Sequence, residues 1–167
     1  MTRPRSTPAP KQPAVATKRY RLQVATWMVV REPGQAPLPR VLSSPEATAE
    51  VVIEWFKVND DDREHFLVLL LNAQNRLLLV HTVSLGTQSA SLVHPREVFG
   101  PALREGAASI LLAHNHPSGD PTPSREDLAL TRQLADAGKL LNVPVHDHLV
   151  VGSGTWRWVS LAQRGAL

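Results

Sequence analysis

The chain has 167 residues and no cysteine. That absence excludes disulfides, a thiol nucleophile and a thiolate metal site, so any metal must be held by imidazole and carboxylate. Long apolar runs are missing too: the longest, residues 66–71 and 77–80, are too short to span a bilayer. The N-terminus carries basic residues and prolines without the apolar segment of a secretory signal. These absences lead us to expect a soluble, cytoplasmic protein with no membrane partner. No internal repeat is evident, and the length suits one domain with a real core plus some tail.

Acidic residues are scarce in one region only. Residues 1–40 hold eight Lys or Arg against a single acid, Glu32, whereas residues 41–167 hold ten against fourteen. The net charge of +3 therefore divides into +7 and −4. Seven of the fourteen prolines also lie in 1–40. Residues 1–18 read as a disordered basic arm whose partner, if it has one, is nucleic acid held weakly and without sequence preference. Residues 19–43 read as an N-terminal extension, with a strand at Arg19–Arg31 followed by a Pro/Gly-rich loop at 32–39.

From Ser44 the pattern becomes that of a mixed α/β domain, 44–167. Ser44 as N-cap and Pro45 at the first turn predict a helix over 45–58, with Val51, Ile53, Trp55, Phe56 and Val58 as its apolar residues. FLVLLLN at 66–72 and LLLVHTVSL at 77–85 predict a hairpin turned at 73–76. A short extended segment at 86–93 and a helix from about Pro95 to Glu105, ended by Gly106, follow. A buried strand at 107–113 would then deliver His114 and His116 at its exit. A helix at 125–137 would end at Gly138, with Leu128, Leu130, Thr131 and Leu134 inward. Strands at about 143–151 and 156–160 flank a Gly-Ser-Gly turn. The expected fold is a central mixed sheet with helices outside it.

Residues 111–127, LLAHNHPSGDPTPSRED, concentrate the chemistry. His114 and His116 sit two apart, so on an extended segment both imidazoles share one face. Ten residues of turn formers then separate them from Asp127, which stands three positions after Ser124, a natural N-cap. Two imidazoles and one carboxylate around zinc would leave a fourth position for water, whose pKa such an ion lowers to about 7. A further carboxylate must take that water's proton. Asp120, Glu126 and Glu64 are candidates, and spacing does not choose among them.

His114-x-His116-Pro117 with Ser124-x-x-Asp127 resembles the JAMM signature of the JAB/MPN metalloprotease superfamily. HNHPSGDPTPS, with PREV at 95–98 and DHLVVG at 147–152, is similar to the RadC branch. The likeness runs from about Ser44 to Ser160. It implies a JAB/MPN-like, cytidine-deaminase-like fold and one Zn2+ per chain held by His114, His116 and Asp127. It also implies an oxyanion role for Ser124 and a general base at Glu64, carried over from Arg63-Glu64-His65-Phe66. The function it implies is zinc-dependent hydrolysis of a peptide or isopeptide bond in a protein substrate. The alternatives are a metal-dependent nuclease or repair-associated DNA-binding protein, and a catalytically silent MPN-type binding module. No helix-hairpin-helix glycine signature is visible in 1–43, so the DNA-binding module that often accompanies the RadC branch is expected to be absent.

Other residues invite weaker readings. His146 and His148 flank Asp147 at i and i+2, which raises a second metal site, but structural or ligand-orienting roles are expected for the trio. His65, His81 and His94 carry no site assignment. Trp156 and Trp158 alternate on a strand, and packing is expected rather than base stacking. The letters HNH at 114–116 are not the dispersed motif of HNH nucleases.

Overall fold

The computed structural model describes residues 40–59, 62–86 and 93–167. The expected basic arm at 1–18, the strand and loop at 19–39 and most of the extended segment at 86–93 lie outside these residues. The described residues all belong to one unit, Pro37–Leu167. Its elements run α1 (Pro45–Val58), β1 (Glu64–Leu71), β2 (Leu77–Gly86), α2 (Pro95–Arg104), β3 (Ser109–His116), α3 (Arg125–Leu141), β4 (Val145–Gly152) and β5 (Trp158–Ser160).

The strands form one mixed sheet in the order β2-β1-β3-β4-β5. β1 pairs antiparallel with both β2 and β3, β3 pairs parallel with β4, and β4 pairs antiparallel with β5. The one parallel pair is the one joined through a helix, α3, because a tight turn cannot connect parallel strands. Both faces of the sheet are covered, which makes three layers. Leu67, Leu69, Leu71, Leu111, Ala113, Leu149 and Val151 pack with Val51, Val52 and Phe56 of α1. Phe66, Val68, Leu70, Ile110 and Leu112 pack on the other face with Phe99 of α2 and Leu134 of α3. Burial on both faces explains why β1 reads as a continuous apolar run rather than an alternating one.

The α1 helix begins as expected, with Ser44 Oγ accepting from the Ala47 N–H at 3.2 Å. Its inward face is different. Thr48, Ala49, Val51, Val52 and Phe56 are buried, while Ile53 and Trp55 only pack partly and the terminal Val58 is exposed. The helix thus buries small residues at helical spacing that size alone does not flag.

Four boundaries differ from expectation. β1 begins at Glu64, two residues early, and β3 continues through His116, so both histidines lie within the strand rather than beyond it. β5 starts at Trp158 because Trp156 turns the chain with a φ of 55°. The α3 helix passes through Gly138 to Leu141, and Asn142 takes the left-handed position at φ 56°.

Gly138 is there for room. A Cβ on it would come within 2.6 Å of the Val143 carbonyl oxygen and 3.2 Å of the Phe99 ring. Helix propensity alone favours Ala over Gly by about 1 kcal/mol. Gly138→Ala should nevertheless destabilise the domain by about 1–3 kcal/mol, because backbone blocks the new methyl. Urea unfolding checks the sign.

Candidate metal centre

At its C-terminal end β3 carries His114 and His116 on the face covered by α2 and α3. The N-terminus of α3 brings Asp127 to them. His114 Nε2 lies 3.0 Å from His116 Nε2 and 3.3 Å from Asp127 Oδ1, and His116 Nε2 lies 3.5 Å from Asp127 Oδ2. One donor atom from each residue falls within 4.8 Å of the others, and among the described residues this is the group of histidines and carboxylates able to hold a metal ion. The donors differ in exposure: the His114 side chain is 1% exposed, that of His116 19% and that of Asp127 14%. The site is walled on one side and open on the other.

Each donor is aimed by neighbours. His116 Nδ1 lies 2.8 Å from the Asp120 carbonyl oxygen, which can only accept. Nδ1 therefore carries the proton, and Nε2 faces the cluster. His114 Nδ1 lies 2.8 Å from His148 Nε2, and Phe66 stacks on the His114 ring with centroids 6.0 Å apart. Asp127 Oδ2 accepts from both the Ser124 N–H and its hydroxyl, each at 2.7 Å, while the Asp127 N–H donates back to Ser124 Oγ at 3.0 Å. A capping box therefore orients the third donor.

The electrostatics suit a cation. Burial opposes charge on Asp127, but the close contacts of its carboxylate with His114 and His116, the positive charge His114 would carry and the Ser124 hydrogen bond outweigh it, holding the carboxyl well below the usual range. The bond to Asp127 raises His116 above its ordinary value, against the pull of burial; the Asp120 carbonyl and the charges of Asp127 and Glu64 add to the rise. Two nitrogens and one carboxylate, all converging and without a thiolate, fit a metal that takes imidazole and oxygen donors.

Glu64 is half-buried at the start of β1. Phe66 pairs with His114 in the antiparallel β1–β3 ladder, so stepping two residues outward in both strands brings Glu64 level with His116 on the same face. Its charge is felt at His116. The two other acids considered are placed differently. The Asp120 carboxylate accepts from the Thr122 N–H and hydroxyl, at 3.1 and 2.8 Å, and Glu126 is exposed in the first turn of α3.

His146 is exposed whereas His148 is fully buried, so the two do not form a second cluster. Burial, followed by the neighbouring His114 charge, pushes the His148 pKa well down. Asp147 binds the C-terminal turn: its carboxylate accepts from the His148 and Ala162 N–H groups at 2.7 and 3.0 Å and from the Ser160 hydroxyl at 2.6 Å. Trp156 and Trp158 pack partly against the α1-side core, and Lys57 Nζ sits 5.4 Å from the Trp156 ring centre.

The sequence reading passed over Asn115, the spacer between the histidines. It faces the opposite side of the sheet, is 4% exposed, and clasps the start of β1. Its Oδ1 accepts from the His65 N–H at 2.7 Å, and its Nδ2 donates to the Arg63 carbonyl at 2.9 Å and to Ser153 Oγ at 3.0 Å. The two clasped backbone groups flank Glu64. An amide set between two histidines at the end of an apolar strand was the available signal.

The glycines of HNHPSG and DHLVVG also meet. A Cβ on Gly152 would run into the Gly119 carbonyl, whose oxygen accepts from Thr155 Oγ1 at 2.7 Å. The loop after His116 is thus pressed onto the end of β4.

Residues 42–166 match the family model described as the RadC-like JAB domain. The chain belongs to the RadC-like JAB family. Its relatives include UPF0758 proteins of Desulforamulus reducens, 47% identical over 76% of this chain and 54% of the relative, and of Symbiobacterium thermophilum, 51% identical over 79% and 55%. One from Desulfitobacterium hafniense is 43% identical over 90% and 65%. The chain thus spans between half and two thirds of the length of these RadC-like relatives. No helix among its described residues is long and apolar enough to cross a membrane.

Asn115→Ala should cost about 1–3 kcal/mol, since the bonds of the Asn115 side chain to the His65 N–H and the Arg63 carbonyl are lost. It should release Glu64 without touching the metal donors. Chemical denaturation and metal titration of the same variant separate the two effects: stability falls while metal stoichiometry stays at the wild-type level.

Proposed function

We propose that this domain is a zinc-dependent hydrolase that cleaves a peptide or isopeptide bond in a protein substrate. The observation that carries the reading is the convergence of His114 Nε2, His116 Nε2 and the Asp127 carboxylate on one open-sided point; Glu64, at the start of the neighbouring strand, adds a negative charge felt at His116. When bound there, zinc supplies Lewis acidity that polarises a carbonyl and makes water acidic enough to lose a proton near neutral pH.

The chain's residues do the rest. Glu64 takes the proton of the attacking water and returns it to the leaving amine. Its half-buried place at the start of β1 fixes its backbone in the sheet beside β3. Ser124 has one hydroxyl proton, spent here on Asp127 Oδ2. Turning that hydroxyl to the developing oxyanion leaves Asp127 held by the Ser124 N–H, which binds the same oxygen. Capping and oxyanion stabilisation are therefore compatible in sequence of time.

Metal analysis tests the first step. The wild type should carry one zinc per chain, and His116→Ala and Asp127→Ala should each abolish it; zinc retained in full by either variant refutes the site. Glu64→Gln should keep the metal while turnover drops by about 10²–10⁴-fold. Ser124→Ala should keep the metal and lose about 10²-fold in kcat. Substrates are sought by offering peptide libraries, single-stranded DNA and double-stranded DNA with chelator controls. Chelator-sensitive cutting of DNA alone, lost in His114→Ala, would replace this reading with a nuclease. Specific protein binding without cleavage would replace it with a silent module.

A further inference from the structure

Behind His114 a chain of buried hydrogen bonds runs through two side chains to which the catalytic reading gives no task. His148 Nε2 lies 2.8 Å from His114 Nδ1, and Thr131 Oγ1 lies 2.6 Å from His148 Nδ1. Thr131 Oγ1 also lies 2.6 Å from the backbone carbonyl oxygen of Asp127. His148 and Thr131 are wholly buried, so no solvent completes their bonding.

The direction of every proton in this chain follows from its last member. A carbonyl oxygen only accepts, and two oxygens at 2.6 Å need a proton between them, so Thr131 donates to Asp127. Its single proton is then spent, and it must accept from His148 Nδ1–H. A neutral imidazole holds one proton, which leaves His148 Nε2 as an acceptor. His114 Nδ1 must supply the hydrogen, and His114 Nε2 is left with its lone pair directed at His116 and Asp127. The opposite polarity would put a proton on His114 Nε2, where a cation has to bind.

We propose that His148 and Thr131 are positioning residues that lock His114 in its Nδ1–H tautomer and hold its ring so that Nε2 is presented to the metal. The relay begins at the main chain of one ligand and ends at the ring of another. Thr131 stands one helical turn after Asp127, so the carbonyl that sets the polarity moves with the third ligand. His114 and Asp127 are thereby tied together behind the site as well as in front of it. The function of this lock rests on the metal reading, but the protonation pattern is a property of the apo chain and can be read alone.

Two measurements on the full chain test it. In protein labelled with 15N in its histidines, long-range 1H–15N spectra without metal should show His114 and His148 both protonated at Nδ1. A proton on Nε2 and none on Nδ1 at either residue overturns the relay. Zinc affinity, measured by competition with a chromophoric chelator, should fall about 10–100-fold in Thr131→Val and in His148→Leu. Thr131→Ser, which keeps the hydroxyl, and His148→Gln, whose amide can accept from His114 and donate to Thr131, should each remain within a few-fold of wild type. Wild-type affinity in both Thr131→Val and His148→Leu, with zinc bound normally by the parent, overturns the lock while leaving the metal site intact. If the parent binds no zinc at all, the metal reading and the lock's purpose both fail, whereas the tautomer spectrum still decides the relay. If the apolar variants do not fold, the Thr131→Ser and His148→Gln pair decides: a loss above 10-fold in both overturns the proposal.

Discussion

The register between β1 and β3 is the constraint on which the site depends. Phe66 opposite His114 sets which residues share the face under α2 and α3, because side chains alternate along each strand. A slip by one residue would turn Glu64 to the α1 side and bring a different pair together. Two features oppose such a slip. Both faces of β1 and β3 are filled with large apolar side chains, so either strand would have to exchange one packed face for the other. At the open end, where packing gives out, Asn115 replaces it with three directed hydrogen bonds. Hydrophobic burial thus determines the register, and one buried amide sharpens it next to Glu64.

The same economy governs the end of α3. Ser124 and Asp127 form the capping box that any helix in this position would profit from, yet the Asp127 carboxylate is simultaneously the third donor. The helix N-terminus favours a negative group there, which helps keep the carboxylate charged close to two imidazoles. Helix formation and ligand orientation are therefore not separable contributions: weakening the cap loosens the donor. This coupling is a reason for a side chain as short as Asp, which reaches the Ser124 N–H and the cluster at once.

Much of this was legible in the chain. The histidines at i and i+2, the turn-rich gap and the cap-to-Asp spacing are local patterns, and local patterns are what sequence preserves. The α1 cap, the hairpin and the start of α2 were legible for the same reason. The errors have a common source in tertiary structure. Gly138 reads as a helix terminator because glycine usually is one, but here it admits the Val143 carbonyl and the Phe99 ring. Thr131 reads as one more inward residue of α3, and its hydroxyl acquires meaning only when β4 brings His148 beside it. Asn115 reads as a spacer until β1 is laid next to β3. Each is a polar or small residue whose partner lies on another element, so periodicity carries no trace of it.

The two imidazoles are supported unequally, and the inequality has a physical rationale. His114 is enclosed, with Phe66 against its ring and a buried side-chain relay behind it. His116 is partly exposed and leans on the Asp120 carbonyl, part of the loop that Gly119 presses onto Gly152 and Thr155. A loop carbonyl can shift by a few tenths of an ångström at little cost, whereas a buried relay cannot move without leaving polar atoms unpaired. The rigidly held imidazole lies toward the core and the compliant one toward the opening, the side from which the proposed hydrolysis would take its substrate. Such a site can hold its ion in one place while adjusting its outer wall, and the adjustable wall is the one that Glu64 adjoins.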